Sequence, residues 1–508
     1  MADCPALTYR AGRAGRLLSD LVSPARPSVA GGFAPPIKDP GPFQSPSHGA
    51  LPIAGPSLSI SHARSLRSLP LHLMRTSSWV DQWPVRLNAE ELEILLVTLR
   101  ANSAAASGRL SENALAHLAA SRGCATADRP PQRPHDVVTA LHRVLTRSRF
   151  LKGSRSCFPL DTALAQMLPF VESGQPITIL TIGFPFKQHD NGLKAAGPWP
   201  DLAELGALLR LKELESAFTA LYPPGLRVVV LNDGGYSRPR GWAEMRRYRR
   251  QLKHYAQLVG LANSVRFCDQ SRFVARVLGP REWSTREKYR RTYKQLISML
   301  AGSPRALGST AIIDQRLAET LPPALLAGLP SFREIVSSLV YSVPVPARAG
   351  TDDRQWACQV LAWPDRFTAP ELPPELSEAR REVLSCAWQD AANYLAASLA
   401  DAAVGVAEQF PLHVRLATVA SRPGCSGFSY LGGSTLLPWH GTGCLDGRGL
   451  LCAEFLVSLD HRGFLPVYCD LIGDDQPLMM VPFARTCYMN GRRQVDPELL
   501  ATERLRNR

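Results

Sequence analysis

Residues 176–233 read PITILTIGFPFKQHDNGLKAAGPWPDLAELGALLRLKELESAFTALYPPGLRVVVLND, and this stretch decides the fold. Its two ends, residues 176–184 and 226–233, are dominated by β-branched and aliphatic side chains, which favour buried strands. Residues 201–221 between them predict a helix that ends at YPPG. A strand, a helix and a second strand in this order predict a βαβ unit with two parallel strands.

Polar loops follow both predicted strands, FPFKQHDN after the first and NDGGYSRP after the second. Ligands bind beyond the carboxyl ends of the strands in open α/β sheets, so both loops are predicted at a ligand-binding edge. Lys187 and Lys194 in the first loop are candidates to hold a phosphate, or to act as a base or amine nucleophile when desolvated. Asp233 in the second loop is either a turn residue or a catalytic or hydroxyl-binding carboxylate.

Two acidic residues, Asp201 and Glu204, lie at the start of the predicted helix, and each has a structural and a functional interpretation. Asp201 is either an N-cap or an anion placed for a site at the helix dipole. Glu204, one turn later, is either the partner of a capping arrangement or a general base. The pattern leaves both pairs of alternatives open.

The rest of the globular part predicts an α/β protein with a mostly parallel sheet and flanking helices. Asn88 caps a predicted helix, a second helix begins after Pro134, and further helices include residues 161–172, 241–260, 284–300 and 375–403. A Ser284-x-x-Glu287 capping box marks the start of one of them. The C-terminal part is predicted to be β-rich, with strands in HVRLATVAS, LLCAEFLVSLD and FLPVYCDLIG.

Composition sets the class of the protein and its domains. The chain has 508 residues, of which 45% are hydrophobic and 20% charged, as in soluble globular proteins. Thirty of the first 80 residues are Pro, Gly or Ser, which predicts a disordered leader over residues 1–80, before a catalytic domain over 81–495 and a flexible tail over 496–508. An organelle transit peptide is the alternative for the leader, since it is rich in Arg and Ser and poor in acids. We expect a cytoplasmic protein, because no run of about 18 apolar residues and no secretory signal occurs.

The spacing of the cysteines and the distribution of charge indicate which classes of ligand the protein binds. Eleven cysteines occur without a CxxC, so we expect reduced thiols and no zinc site. The net charge is +14, and the basic stretch from Arg238 to His254 contributes +6 of it. Such a stretch is a solvated helix face, a track for a phosphate backbone, or a source of arginines for a phosphosugar. No nucleic-acid module, P-loop, dinucleotide motif or HExxH is present, so we expect no nucleic-acid partner, no nucleotide cofactor and no metal.

One further motif, GGSTLLPWHGTG, places Trp439 and His440 among glycines. A histidine in a loop is often structural, and it is also the side chain best suited to acid–base chemistry near neutral pH.

Taken in order, these motifs resemble the pyoverdine/dityrosine biosynthesis family, which includes the isonitrile (isocyanide) synthases. The resemblance covers roughly residues 85–490. It is carried by Pro185-x-Lys187, Pro200-Asp201-x-x-Glu204, Asp233-Gly234 and Pro438-Trp439-His440. It implies a modified Rossmann-like fold and an enzyme that needs no metal or redox cofactor.

The resemblance also implies a reaction and a site. Isonitrile synthases join the α-amino group of an amino acid, commonly tyrosine or tryptophan, to the C2 carbonyl carbon of ribulose 5-phosphate, and carbon–carbon cleavage leaves that carbon as the isonitrile. An iron/2-oxoglutarate oxygenase is an expected pathway partner. The catalytic residues implied are Lys187, Glu204, Asp233 and His440. The substrate-binding residues implied are Asn191, Lys194, Asp201, Arg238, Arg415 and Trp439.

Roles within that site are hypotheses. We expect Lys187 and either Arg238 or Arg415 to hold the phosphate, and Glu204, Asp233 and His440 to transfer protons. Val419 stands where the family shows a histidine. This difference leaves one alternative open, a family member with diverged carbon–nitrogen chemistry that makes a formyl amino acid, as in the dityrosine branch. The net positive charge leaves a second alternative open, a basic nucleic-acid-binding protein.

Overall fold

The structure is a computed structural model. It describes residues 85–121, 133–187, 194–232, 242–269, 282–300, 310–326, 331–339, 378–404, 412–418, 421, 424–432, 436–473, 476–489 and 492–501. The predicted leader and five residues named in the sequence analysis, Asn191, Asp233, Gly234, Arg238 and Val419, lie outside this part of the chain.

In the first half of the chain, three helices follow the first strand, and strands and helices then alternate. In chain order they are β1 (Val85–Arg86), α1 (Ala89–Ser121), α2 (Pro134–Leu145), α3 (Leu160–Glu172), β2 (Ile177–Ile182), α4 (Leu202–Leu221), β3 (Leu226–Asn232), α5 (Trp242–Leu258) and β4 (Val265–Asp269).

Helices come next, and short strands dominate the C-terminal part. They are α6 (Glu282–Leu300), α7 (Thr310–Thr320), α8 (Pro323–Leu326), α9 (Phe332–Leu339), α10 (Glu378–Val404), β5 (Val414–Ala417), β6 (Ser426–Gly427), β7 (Thr442–Leu445), β8 (Leu451–Glu454), α11 (Leu456–His461), β9 (Phe464–Tyr468), β10 (Met479–Pro482), β11 (Thr486–Met489), β12 (Arg492–Val495) and α12 (Pro497–Ala501).

The central sheet has the strand order β4-β3-β2-β5-β6, and every neighbouring pair is parallel. The predicted βαβ unit is confirmed, because β2 and β3 pair in parallel from Ile177 opposite Leu226 to Ile182 opposite Leu231. The chain leaves β2 toward β3 on one side and later returns to β5 on the other side. This order makes the carboxyl end of β2 a topological switch point, where ligands of α/β proteins bind. The α/β fold class with a mostly parallel sheet is thereby confirmed.

A second, mixed sheet has the order β1-β9-β10-β7-β8. Helix α4 contacts strands of both sheets. Its residues 202–211 are all buried, including Gly206, where an added Cβ would lie 2.4 Å from a methyl carbon of Leu451 on β8. The first turn of α4 is therefore fixed between the two sheets, which matters because it carries Asp201 and Glu204.

Several boundaries differ from the predictions. The segment LVSLD forms helix α11 rather than continuing a strand; β8 ends at Glu454, and Phe455, which has an extended backbone, is the N-cap of the helix. Ser284 lies inside α6, which begins at Glu282, so the predicted capping box is wrong. Asn88 does cap α1, where its Oδ1 accepts from the Glu91 amide at 2.8 Å.

Two further features bear on the predicted boundaries. Residues 497–501, which fall in the predicted tail, form helix α12, and Leu499 and Leu500 on it are buried. The domain boundaries otherwise stay a prediction. Among the described helices, none is long and apolar enough to cross a membrane.

Candidate active site

The backbone turns sharply where β2 ends. Phe184 has φ 51°, in the left-handed region that non-glycine residues seldom adopt. Gly183 before it lies against the indole of Trp439, so closely that an added Cβ would sit 2.7 Å from the ring. The Phe184 ring packs 4.9 Å from the Trp439 ring and 5.7 Å from the Tyr430 ring, between centroids. This aromatic packing holds the turn and directs the following chain toward the start of α4.

The start of α4 is closed by a complete capping box. Asp201 Oδ1 accepts from the Ala203 amide at 2.8 Å, and Glu204 Oε2 accepts from the Asp201 amide at 3.0 Å. Asp201 and Glu204 therefore both have the capping roles that the sequence analysis offered as one of two alternatives for each residue. The box does not use the remaining acceptor capacity of either carboxylate.

Lys187 uses that capacity. Its Nζ lies 2.9 Å from Asp201 Oδ1, 2.7 Å from Glu204 Oε2 and 3.0 Å from the carbonyl oxygen of Pro438. Lys187 and Glu204 are 0% exposed and Asp201 is 1% exposed. The three protons of the ammonium are therefore directed at three protein oxygens. We call Lys187, Asp201 and Glu204 the ion cluster.

Two tyrosines of α5 lie beside the ion cluster. Tyr248 donates its hydroxyl to Glu204 Oε1 at 3.0 Å, and Tyr255 donates to the carbonyl of Pro200 at 3.0 Å. Burial raises the pKa of both phenols, so they act as neutral donors. Burial also raises the pKa of the Glu204 carboxyl to about 8, against the opposing effect of the Lys187 charge. A carboxyl with a pKa near physiological pH is suited to both accept and release a proton.

Strand β7 closes the cluster from the second sheet. The amide of Gly443 donates to Asp201 Oδ2 at 3.0 Å. This approach requires glycine, because a Cβ at this position would lie 2.5 Å from the Ala203 nitrogen and 2.9 Å from Asp201 Oδ1.

We expect Gly443→Ala to lower the free energy of unfolding by about 1–3 kcal/mol, because the methyl group would displace the first turn of α4. Gly447→Ala is the matched control, since nothing lies within 4 Å of a Cβ there. Chemical denaturation of both variants measures the difference. Equal stability of the two variants would show that the contact between β7 and α4 is looser than described.

The loop before Asp201 is anchored on three sides. The Gln476 side chain accepts from the Trp199 amide at 2.7 Å and donates to its carbonyl at 2.8 Å. The guanidinium carbon of Arg247 lies 4.0 Å from the centre of the Trp199 ring. The Lys194 carbonyl accepts from the Leu456 amide at 3.0 Å. The Lys194 side chain is 1% exposed, and burial lowers the pKa of its ammonium to about 7.

His440 lies in a short 3-10 helix that is joined to the ion cluster through the carbonyl of Pro438. It is 6% exposed, and neither ring nitrogen has a hydrogen-bond partner among the described residues. Burial lowers the pKa of the imidazole, and the positive charges of Lys194, Lys152 and Lys187 lower it further, so the ring is neutral. A neutral imidazole can take a proton from a bound molecule.

Lys152 adds a cation that the sequence analysis missed. It follows α2, and its Nζ donates to the Thr418 carbonyl at 3.5 Å, just after β5 ends. Burial lowers the pKa of this ammonium. Lys152, Lys187 and Lys194 thus all act electrostatically on His440, whose pKa they lower.

The structure therefore brings together five of the predicted site residues: Lys187, Lys194, Asp201, Glu204 and His440. Trp439 is buried at their edge. Arg415 lies in the middle of β5, and no ion pair joins it to the described residues. Among the described residues no group of three His, Cys, Asp or Glu side chains is arranged to hold a metal ion.

The residues that sequence reasoning missed come from distant segments. Tyr248 lies in the basic stretch, where only its spacing of four from Leu252 marks it as part of the buried face. Lys152, Gly443 and Gln476 carry no comparable signal, because their contacts depend on how the two sheets pack.

Comparison with known proteins supports the motifs. Residues 168–316 match the family model described as pyoverdine/dityrosine biosynthesis protein. The chain is 35% identical over 74 residues to the L-tyrosine isonitrile synthase of Xenorhabdus nematophila, and 31% identical over 100 residues to the L-tryptophan isonitrile synthase AmbI1 of Fischerella ambigua. It is 38% identical over 79 residues to the isocyanide synthase–NRPS hybrid crmA of Aspergillus fumigatus. The predicted family resemblance is confirmed over these residues, whereas Pro438-Trp439-His440 lies outside the segment that the family model matches.

The matched regions are partial. They cover 15% of this chain and 22% of the tyrosine enzyme, 18% and 31% for the tryptophan enzyme, and 15% and 5% for the hybrid. The crystal structure of the PvcA protein from Pseudomonas aeruginosa aligns over 68% of this chain and 95% of that chain, with 19% identity and a TM-score of 0.38.

Proposed function

We propose that this relative of the pyoverdine/dityrosine biosynthesis family is an isonitrile synthase-like enzyme. In this proposal it is a carbon–carbon lyase and condensing enzyme that converts the α-amino group of an amino acid such as tyrosine or tryptophan to an isonitrile. Ribulose 5-phosphate is the carbon donor. The observation that carries the proposal is the ion cluster, which lies in the matched segment at the carboxyl end of β2.

The proposed reaction begins with proton transfer. An amine and a ketone form an imine by losing water, so a base must remove protons from nitrogen and an acid must protonate the leaving oxygen. Glu204 is suited to this exchange because its pKa is about 8 and Tyr248 fixes its orientation. His440, neutral and buried, is the second proton carrier in this scheme.

Lys187 has a different role in this proposal from the phosphate grip expected from the sequence. Its ammonium already contacts Asp201, Glu204 and the Pro438 carbonyl. We therefore assign it as a positioning residue that holds Glu204. The cations proposed for the phosphate are Lys194 and Lys152, and Trp439 supports the turn at Gly183 rather than touching substrate.

These assignments predict a narrow pH optimum between about 7 and about 8. Glu204 must be ionised to act as a base, which favours pH above its pKa of about 8, and Lys194 must be protonated to hold phosphate, which favours pH below its pKa of about 7. The fraction of molecules that meets both conditions is greatest midway between the two pKa values, so kcat/KM rises up to about pH 7 and falls above about pH 8. In Lys194→Arg the alkaline limb is expected to move to higher pH, because guanidinium stays charged. An unchanged alkaline limb in this variant would remove Lys194 from the phosphate site.

The function is tested by incubating the full chain with ribulose 5-phosphate and each amino acid in turn, followed by mass spectrometry. We expect a product that depends on both substrates and on tyrosine or tryptophan. A folded sample that forms no such product with any amino acid would overturn the proposal.

The same experiment separates the alternatives. A formyl amino acid is heavier than the isonitrile by one water, so the dityrosine-type chemistry gives its own mass. Nucleic-acid binding is tested by salt-dependent retention on DNA or RNA, with a chain shortened by residues 1–80 alongside the full chain.

A further inference from the structure

Two cysteines face each other across the β7–β8 hairpin. Cys444 on β7 and Cys452 on β8 are directly opposed in the antiparallel register. Their Sγ atoms lie 3.5 Å apart, and the Cys444 thiol is buried while Cys452 is partly exposed. Neither residue belongs to the ion cluster or to the proposed chemistry.

We propose that Cys444 and Cys452 form an oxidation site, at which hydrogen peroxide converts the two thiols to an intramolecular disulfide. Directly opposed residues in an antiparallel pair have Cα atoms about 4.5–5.5 Å apart, which falls within the usual range for disulfides. Closing the Sγ atoms from 3.5 Å to about 2.05 Å needs side-chain rotation rather than movement of a strand.

The exposure of the two thiols sets the order of the steps. Cys452 is the more accessible, so its sulfur attacks peroxide, the O–O bond breaks, and a sulfenic acid and one water form. The Cys444 sulfur then attacks the sulfenic sulfur, the S–S bond forms and a second water leaves. In total two thiols and one peroxide give one disulfide and two waters.

The raised pKa of Cys444 suits it to the second step, in which it attacks the sulfenic acid on Cys452. Its contact with the Cys452 thiol and its burial raise the pKa of the Cys444 thiol, so it holds little thiolate at neutral pH. A thiol of this kind reacts slowly with peroxide and needs an activated sulfur close by. The expected disulfide therefore forms slowly, and dithiothreitol reverses it.

The β7–β8 hairpin contacts the ion cluster, so a disulfide in the hairpin would affect the cluster. Gly443, next to Cys444, donates its amide to Asp201 of the ion cluster. A cross-link between β7 and β8 closes a loop with its ends eight positions apart and restrains the strand that holds α4. An effect of oxidation on catalysis rests on the proposed function, whereas formation of the disulfide does not.

The test is peptide mapping of the reduced full chain after peroxide treatment under native conditions. Remaining thiols are alkylated, the protein is digested without reduction, and peptides are identified by mass spectrometry. We expect one cross-linked species that joins Cys444 to Cys452, two hydrogens lighter than the reduced pair. It should be absent from Cys452→Ala and Cys444→Ala and present in the control Cys157→Ala.

A second measurement does not depend on the variants folding well. Oxidation of the wild-type chain is expected to raise its melting temperature by about 2–5 °C, because the cross-link restricts the unfolded chain. The proposal is overturned if both thiols remain open to alkylation in the oxidised protein after unfolding. It is also overturned if either cysteine is found joined to a different cysteine.

Discussion

Replacing Lys187 by methionine is expected to abolish product formation and to lower the free energy of unfolding by about 3–5 kcal/mol. Methionine keeps an unbranched side chain out to Cε and removes the charged Nζ. Asp201 and Glu204, 1% and 0% exposed, then remain buried without the cation that lies 2.9 and 2.7 Å from them. The loss is large because a buried charge that loses its partner is not resolvated.

The loss of stability in Lys187→Met should depend on pH. Removing the ammonium raises the pKa of Glu204 further above that of an unfolded glutamate, since the Lys187 charge is what opposes the effect of burial. A folded state with a raised carboxyl pKa binds its proton more tightly than the unfolded chain, so stability falls as pH rises from the unfolded toward the folded value. The difference between wild type and variant should thus be larger at pH 8.5 than at pH 5.5.

Lys212→Met provides the control on α4. Lys212 also pairs with a glutamate, Glu215 at 2.6 Å, but its side chain is 30% exposed. Exposed pairs contribute about 0–1 kcal/mol, so denaturation midpoints of this variant should stay close to wild type. If Lys187→Met were no less stable than Lys212→Met, the ion cluster would not be the buried network described above.

Replacing Glu204 by glutamine is expected to lower kcat by about 10²–10⁴ while leaving most of the folded structure intact. The amide keeps the shape of the side chain: its oxygen can accept from the Asp201 amide in place of Oε2, and its nitrogen can donate to the Tyr248 hydroxyl in place of Oε1. It cannot exchange a proton at neutral pH, and Lys187 keeps Asp201 as its partner. Rates must be expressed per folded molecule, with folding followed by circular dichroism.

Glu213→Gln is the matched control for this variant. Glu213 is a buried glutamate on the same helix, about 13 Å from Glu204 along the axis, and it binds Arg149 at 2.7 Å and Arg210 at 3.2 Å. Its replacement should reduce stability without a comparable loss of rate. If Glu204→Gln and Glu213→Gln had the same residual rate per folded molecule, Glu204 would have a structural role and no role in proton transfer.

The central sheet could be predicted from the sequence because its signals are local. Strands β2 and β3 are short β-branched runs on either side of a helix with a capping box, and this pattern permits few topologies. The secondary structure of the segment after β8 could not be predicted in the same way, since LVSLD has the apolar content of a strand and forms α11 only in its tertiary context.

The candidate site was partly predictable for the same reason. Lys187, Asp201 and Glu204 lie within one loop–helix segment, so spacing alone suggested that they act together. Tyr248, Lys152 and Gly443 reach the site from segments far apart in the chain, through the packing of α5, the region after α2 and the second sheet. No local pattern encodes these contacts.

The most direct test of the account is the origin of the new carbon. The full chain is given ribulose 5-phosphate labelled with carbon-13 at C2, together with the amino acid that supports turnover, and the product is examined by carbon-13 NMR and mass spectrometry. We expect the wild-type chain to place the label in the isonitrile carbon and Glu204→Gln to form almost none of this product. An unlabelled isonitrile carbon, or equal labelled product from the two proteins, would contradict this expectation.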